Sequence, residues 1–251
     1  MSNLMRAEWF RIRRSKNIFI ILLSTELVVL LFQFIGDDGF RINAAEYFSY
    51  HANMGVMMAV FTVTLIVSEP FNSKLADYEI MKGTPPMHTI ISKTLMSLII
   101  ETVTYYLPTM ILLKIFDGEN ITLKMMMLLY LCIIKLTVVS MSLAVIFKGM
   151  LGNMLFFFVL SFANIPLVLI SGVTGADLTQ LTSYMTSTQL VMIGGTDILD
   201  MSKVFEEQDM LMSLDSAHIG SKVIISLAAV TAVMTALAYR ALKCKKQIDT
   251  V

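Results

Sequence analysis

The stretch Gly149–Ala176, GMLGNMLFFFVLSFANIPLVLISGVTGA, carries no charged residue. A helix needs about 20 mostly apolar residues to cross a hydrocarbon core about 30 Å thick, and this stretch has that length to spare. Its apolar residues run continuously, without the alternation over about ten residues of a transmembrane β-strand. Working outward, five more runs of the same kind appear. The expected spans are 18–35, 51–68, 94–116, 125–147, 151–172 and 223–239 in a chain of 251 residues. The chain is 56% hydrophobic and 15% charged, with a mean hydropathy of +0.74, whereas soluble domains average nearer 45–50% apolar and about a quarter charged. The expected fold class is an all-α polytopic membrane protein, one domain over 1–251 with six transmembrane helices.

The first span follows a basic segment, as a signal peptide would. No small-x-small cleavage site follows it and Glu26 falls in its middle, so a retained span is expected. Cys132 and Cys244, one in a span and one in the tail, do not make a disulfide framework.

Lys and Arg near span ends collect on the cytoplasmic side. With the N-terminus inside, the inner segments hold thirteen basic and five acidic residues, a net of +8, and the outer ones five basic and twelve acidic, a net of −7. Glu26, Glu101 and Lys135 stay within the spans and close the sum at zero. Both termini are therefore expected in the cytoplasm, and a neutral chain of this kind is not expected to bind nucleic acid.

Three segments outside the spans are amphipathic. At 4–16, Met5, Trp9 and Ile12 share one helical face while Arg6, Arg11, Arg13 and Arg14 occupy much of the rest. This pattern suits an interfacial helix, apolar face down and arginines toward anionic headgroups; a plain positive-inside flank is the other reading. At 69–93, Phe71, Leu75 and Tyr78 make an apolar stripe on a short helix that also carries Asp77, and Gly83 ends it. Thr84 then reads as an N-cap with proline at the first helical position of a new helix. The stripe has two open uses, burial on the bundle's own base or docking of a cytoplasmic subunit. The outer loop 173–222 is acidic yet apolar, with short helices expected around Leu178–Met185 and Ile198–Leu214, partly re-entrant and shielded by protein.

Charged residues in spans are costly and usually face a partner or a cavity. Lys135 has either Glu26 or Glu101 as a possible partner, in an interhelical pair or on the wall of a substrate or ion path. Pro108 and Asn164–Ile165–Pro166 predict kinks.

Catalytic and metal motifs are absent from the sequence. Only His51, His88 and His218 occur, on separate segments, with no His-Glu-x-x-His. Glu206–Glu207 resembles the glutamate pair of CAAX-protease-like proteins, but Leu211 stands where that pattern wants arginine. Without G-x-x-x-x-G-K-[ST] the chain has no P-loop for ATP, and without G-x-S-x-G no serine-hydrolase elbow.

As a layout, the chain resembles the ABC-2 type permeases, the membrane subunits of one class of ABC exporter. The resemblance rests on an elbow helix at 4–16, six spans, the 69–93 segment with Gly83–Thr84 and Ser92–Lys93, and a long outer loop before the last span. It implies that 69–93 is a coupling segment seated on an ATPase subunit through Phe71, Leu75, Asp77 and Tyr78. It implies two permease chains, identical or sister, with two ABC ATPase subunits that hold ATP and Mg, this chain having no cofactor of its own. It also implies residence in the bacterial plasma membrane and export of an amphipathic or antimicrobial peptide. An ion-gradient-driven transporter and a non-transporting scaffold are the alternatives from other classes.

Overall fold

The computed structural model describes residues 2–14, 44–72, 83–147, 150–161, 179–195, 198–200, 211–213 and 218–248, with isolated positions 20, 24, 27, 28, 31, 79 and 170. The helices are α1 (Ser2–Arg14), α2 (Ala44–Glu46), α3 (Ala52–Asn72), α4 (Pro86–Glu101), α5 (Leu107–Asp117), α6 (Leu123–Ile146), α7 (Met150–Ser161), α8 (Thr179–Thr182) and α9 (Thr186–Ile193). Strands β1 (Ile198–Asp200) and β2 (Leu211–Ser213) precede α10 (Ile219–Ile248). π-turns at Tyr47–His51 and Thr102–Tyr106 join α2 to α3 and α4 to α5.

Four helices are long and apolar enough to cross a membrane: Ala52–Phe71, Pro86–Asp117, Leu123–Ile146 and Ile219–Cys244. They correspond to the second, third, fourth and last expected spans. Of the first span, only Ile20, Ser24, Leu27, Val28 and Leu31 are described, all helical and exposed. Of the fifth, α7 and Ile170 are described. Glu26, Asn164, Ile165 and Pro166 lie outside the described residues, as do Leu75, Asp77 and Tyr78.

Helix α6 is the centre of the bundle and packs against α3, α4, α7, α9 and α10. Thr122 starts it by accepting from the Met125 amide at 3.2 Å, a side-chain cap for an otherwise orphaned donor. Helix α10 is the outermost, with only 17% of its most apolar window buried against 67% for α6. The core divides into two apolar clusters at opposite ends. One gathers Ile12, Val67, Phe71, Ile90, Val145 and Leu242, and the other Tyr47, Phe48, Tyr105, Leu113, Leu129 and Leu190. Each end joins residues from the matching termini of antiparallel helices, as an up-and-down bundle requires.

Proline sets several boundaries. Helix α4 begins at Pro86 with Pro85 extended (φ −61°, ψ 133°) and without a side-chain cap, one residue later than a Thr84 cap predicts. The residue before a proline is pushed out of the helical region, so Pro85 cannot open the helix. Gly83, at φ +96°, makes a left-handed turn that lets the Thr84 amide reach back to the Glu79 carbonyl at 3.1 Å, the six-to-one bond of a Schellman closure. At Pro108 the chain distorts as its sequence predicts. The π-turn lies just before it and ends with the Leu107 amide on the Thr102 carbonyl, a bond one residue wider than the α-helical one.

The outer loop corrects one expectation. Ile198–Leu214 carries no helix among its described residues; β1 and β2 pair antiparallel with Leu199 opposite Met212. The alternation needed for a half-buried strand and the spacing needed for a helix are not separable over such short apolar runs.

Candidate functional site

Pro70 lies inside the last turns of α3. Proline has no amide proton, so the Ile66 carbonyl four residues earlier loses its helical donor. Arg11 of α1 supplies the replacement, Nη2 donating to the Ile66 carbonyl at 3.1 Å, while Nη1 pairs with Glu69 and Nε with Glu8 at 3.0 Å. Glu8 also receives the Lys93 ammonium of α4. Lys93 in turn stands 5.4 Å from the Phe71 ring centroid, a cation–π contact strengthened by burial. These are the ion pairs among the described residues, and they bind α1 to the end of α3 and the start of α4.

This cluster fixes the rotation of α1 and the place of Phe71. The buried face of α1 is Glu8, Ile12 and, in part, Met5 and Arg11, while Trp9 is 50% exposed and Arg13 and Arg14 are exposed. Met5, Trp9 and Ile12 therefore do not act as one lipid-facing stripe. The helix is turned by about 60° from that expectation, because burying Glu8 against Lys93 and Arg11 fixes its rotation. Phe71, expected on a docking surface, is only 4% exposed. Helix α3 runs on past Ser68 to Asn72 once Arg11 repairs the Pro70 gap, and this carries Phe71 into the core beside Ile12 and Leu242.

Glu79 is half-buried near the same cluster. Burial pushes its carboxyl above the ordinary range; Lys93 and Arg11 pull it down, and Glu8 pushes it up.

Deeper in the bundle, Lys135 sits at the middle of α6. Its Nζ donates to Gln189 Oε1 at 2.8 Å, Ser226 Oγ at 3.1 Å and the Tyr184 carbonyl at 3.2 Å. The three ammonium protons thus meet neutral acceptors, and Lys135 does not take Glu101 as its partner. Glu101 instead accepts from Thr137 Oγ1. Lys135 and Thr137 are two residues apart and so about 200° apart around α6, one facing α9 and α10 and the other α4. Helix α9 is buried along nearly its whole length, and the turn at 183–185 reaches Lys135 through the Tyr184 carbonyl. Such a backbone break is tolerated at membrane depth only where protein or water satisfies it.

Two further polar features escape a residue-by-residue reading. Thr64 and Ser140 hydroxyls meet at 2.7 Å, Ser140 donates to Asn153 Oδ1 at 3.0 Å, and Asn153 Nδ2 donates to Ser68 Oγ at 2.9 Å, joining α3, α6 and α7. Along α4 and α5, Thr89, Lys93, Ser97, Glu101, Tyr105 and Thr109 are all buried. Their four-residue spacing is the signal that would have found this second set in the sequence.

At the far end, the Tyr47 and Tyr105 hydroxyls share a hydrogen bond at 3.0 Å, joining the two π-turns, and the Ala44 amide donates to Asp117 Oδ2 at 2.7 Å. Among the described residues no group of His, Cys, Asp and Glu is placed to hold a metal ion. No family model, curated protein or solved structure matches the chain.

Proposed function

We propose that the chain is the permease subunit of an ATP-driven exporter of ABC-2 type, with six spans and both termini cytoplasmic in a bacterial plasma membrane. The observation that carries this reading is the Glu8–Arg11–Lys93–Glu69 cluster, in which Glu8 and Lys93 are buried. It couples α1 to both helices that flank residues 73–82, so a push on that segment moves α1, α3 and α4 together. In this reading α1 is the interfacial elbow, presenting Trp9, Arg6, Arg13 and Arg14 to headgroups. With Phe71 in the core, contact with the ATPase falls to Leu75, Asp77 and Tyr78. ATP and Mg belong to the two ATPase subunits, a second permease chain completes the path, and the cargo is an amphipathic or antimicrobial peptide.

The test is purification from native membranes together with the products of neighbouring genes. An ATPase should co-purify with the chain, and Leu75→Glu with Tyr78→Glu should release it while the permease stays folded. A chain that transports on an ion gradient without an ATPase would overturn the reading. One observation favours that second possibility: the helix break at 183–185 beside Lys135 resembles the discontinuous mid-membrane helices of gradient-driven carriers. ATP dependence against gradient dependence of transport separates the two.

A further inference from the structure

From α4 through the π-turn into α5, a polar residue stands at every fourth position: Thr89, Lys93, Ser97, Glu101, Tyr105 and Thr109. Lys93 is 2% exposed and the other five 0%. Four helical residues advance about 6 Å and turn about 40° past a full circle, so the six trace one slowly winding line through the bundle. It begins at the Glu8–Arg11–Glu69 charges and passes the Tyr47–Tyr105 hydroxyl pair.

Serine and threonine in a membrane helix can satisfy themselves by donating to the carbonyl four residues back. Thr94, Thr102 and Thr104 do so, to Ile90 at 2.9 Å, Leu98 at 2.6 Å and Ile100 at 2.9 Å. Among the described residues, the hydroxyls of Thr89, Ser97 and Thr109, which lie on the line, have no hydrogen-bond partner, and Ser97 stands between Lys93 and Glu101. A buried hydroxyl left in this state is unfavourable, and the usual remedy is a buried water bonded to several such groups. The spacing suits one. A gap of about 6 Å is bridged by a single water making two hydrogen bonds of about 2.8 Å each.

We propose that this line is a hydrated seam through which protons reach Glu101 from the charge cluster at the start of α4. Solvent at the exposed Glu69 edge of the cluster supplies the proton; in each step the donor water breaks one O–H bond as its neighbour forms one, until a Glu101 carboxylate oxygen takes the proton, and the reverse sequence returns it to solvent with no electrons transferred. The Lys93–Glu8 ion pair guards the mouth, and Thr137 steadies the carboxylate by donating to it. The seam is independent of the export reading, since an ATP-driven and a gradient-driven protein could both contain it.

Water access is read with the full chain in sealed membrane vesicles, Cys132 and Cys244 replaced by alanine and serine, and one cysteine introduced by Ser97→Cys. In D2O the Ser97→Cys thiol should exchange its S–H for S–D, read by infrared, about tenfold faster than that of Ile99→Cys, because only a thiol beside water meets exchanging protons. Ile99 is on the exposed side of the same helix. Equal rates at the two positions overturn the seam, and Thr89→Cys serves if Ser97→Cys does not fold. Proton arrival is read by infrared as vesicles are acidified in D2O. The deuterated carboxyl band that Glu101→Gln abolishes should appear promptly, and Ser97→Val should delay it about tenfold by removing a water ligand. Absence of such a band, or its appearance at the same rate in Ser97→Val, overturns the proposal.

Discussion

At Gly152 the backbone of α7 runs against that of α6: a Cβ there would lie 2.2 Å from the Leu143 carbonyl oxygen and 2.6 Å from the Ala144 Cα. Neither atom is the end of a flexible side chain, so the helices must separate to admit a methyl group. Gly152→Ala is expected to destabilise by about 1–3 kcal/mol, with a lower thermal midpoint in detergent. The neighbouring Asn153 loses its bonds to Ser140 and Ser68 as the helices part. An unchanged midpoint would show that the close approach is not needed. Glu79 gives a pH prediction. Its folded pKa is raised, so the stability it contributes is complete below the unfolded value of about 4.3 and is lost as pH rises through the folded value. Glu79→Gln should flatten that fall, as measured by unfolding at a series of mildly acidic pH values. At this scale the sequence was partly legible. Gly83 announced its turn because only local geometry is involved, but nothing local to Arg11 told that it would repair the Pro70 gap at the Ile66 carbonyl, 55 residues away.

Among the elements, the spans read most clearly and their ends least. Expected limits of 51–68, 94–116, 125–147 and 223–239 became Ala52–Asn72, Pro86–Asp117 interrupted by a π-turn, Leu123–Ile146 and Ile219–Ile248. Hydropathy marks the part of a helix in lipid, while the helix itself continues until a cap or proline stops it. The amphipathic pieces were harder, since burial of an ion cluster overrode the apolar stripe of α1 and turned Phe71 inward. The α8–α9 segment is held by Lys135, whose ammonium ties the Tyr184 carbonyl and Gln189 to Ser226 of α10. Lys135→Met leaves Gln189 able to bond Ser226 directly, as it does at 3.1 Å, but leaves the Tyr184 carbonyl without the ammonium. Amide hydrogen exchange should then quicken around 183–189 and remain unchanged in α6. Equal protection in both proteins would mean that packing alone holds the segment.

For the whole molecule, the two cysteines report topology directly. Cys244 is exposed at the α1 end and Cys132 is buried beside Lys135. A membrane-impermeant maleimide should label Cys244 in inside-out vesicles and not in intact cells, and should label Cys132 in neither until the protein is unfolded. Labelling of Cys244 from outside intact cells would overturn the proposed orientation, which rests on +8 inside and −7 outside. The sequence by itself determined a set of helices long and apolar enough to cross a bilayer, because in lipid a run of about 20 apolar residues satisfies its backbone as a helix. Only the tertiary structure decided which charges meet. Glu8 with Lys93, Arg11 with a proline-freed carbonyl, Lys135 with neutral acceptors and Glu101 with Thr137 are choices of helix rotation, and rotation is fixed by packing among all the helices at once.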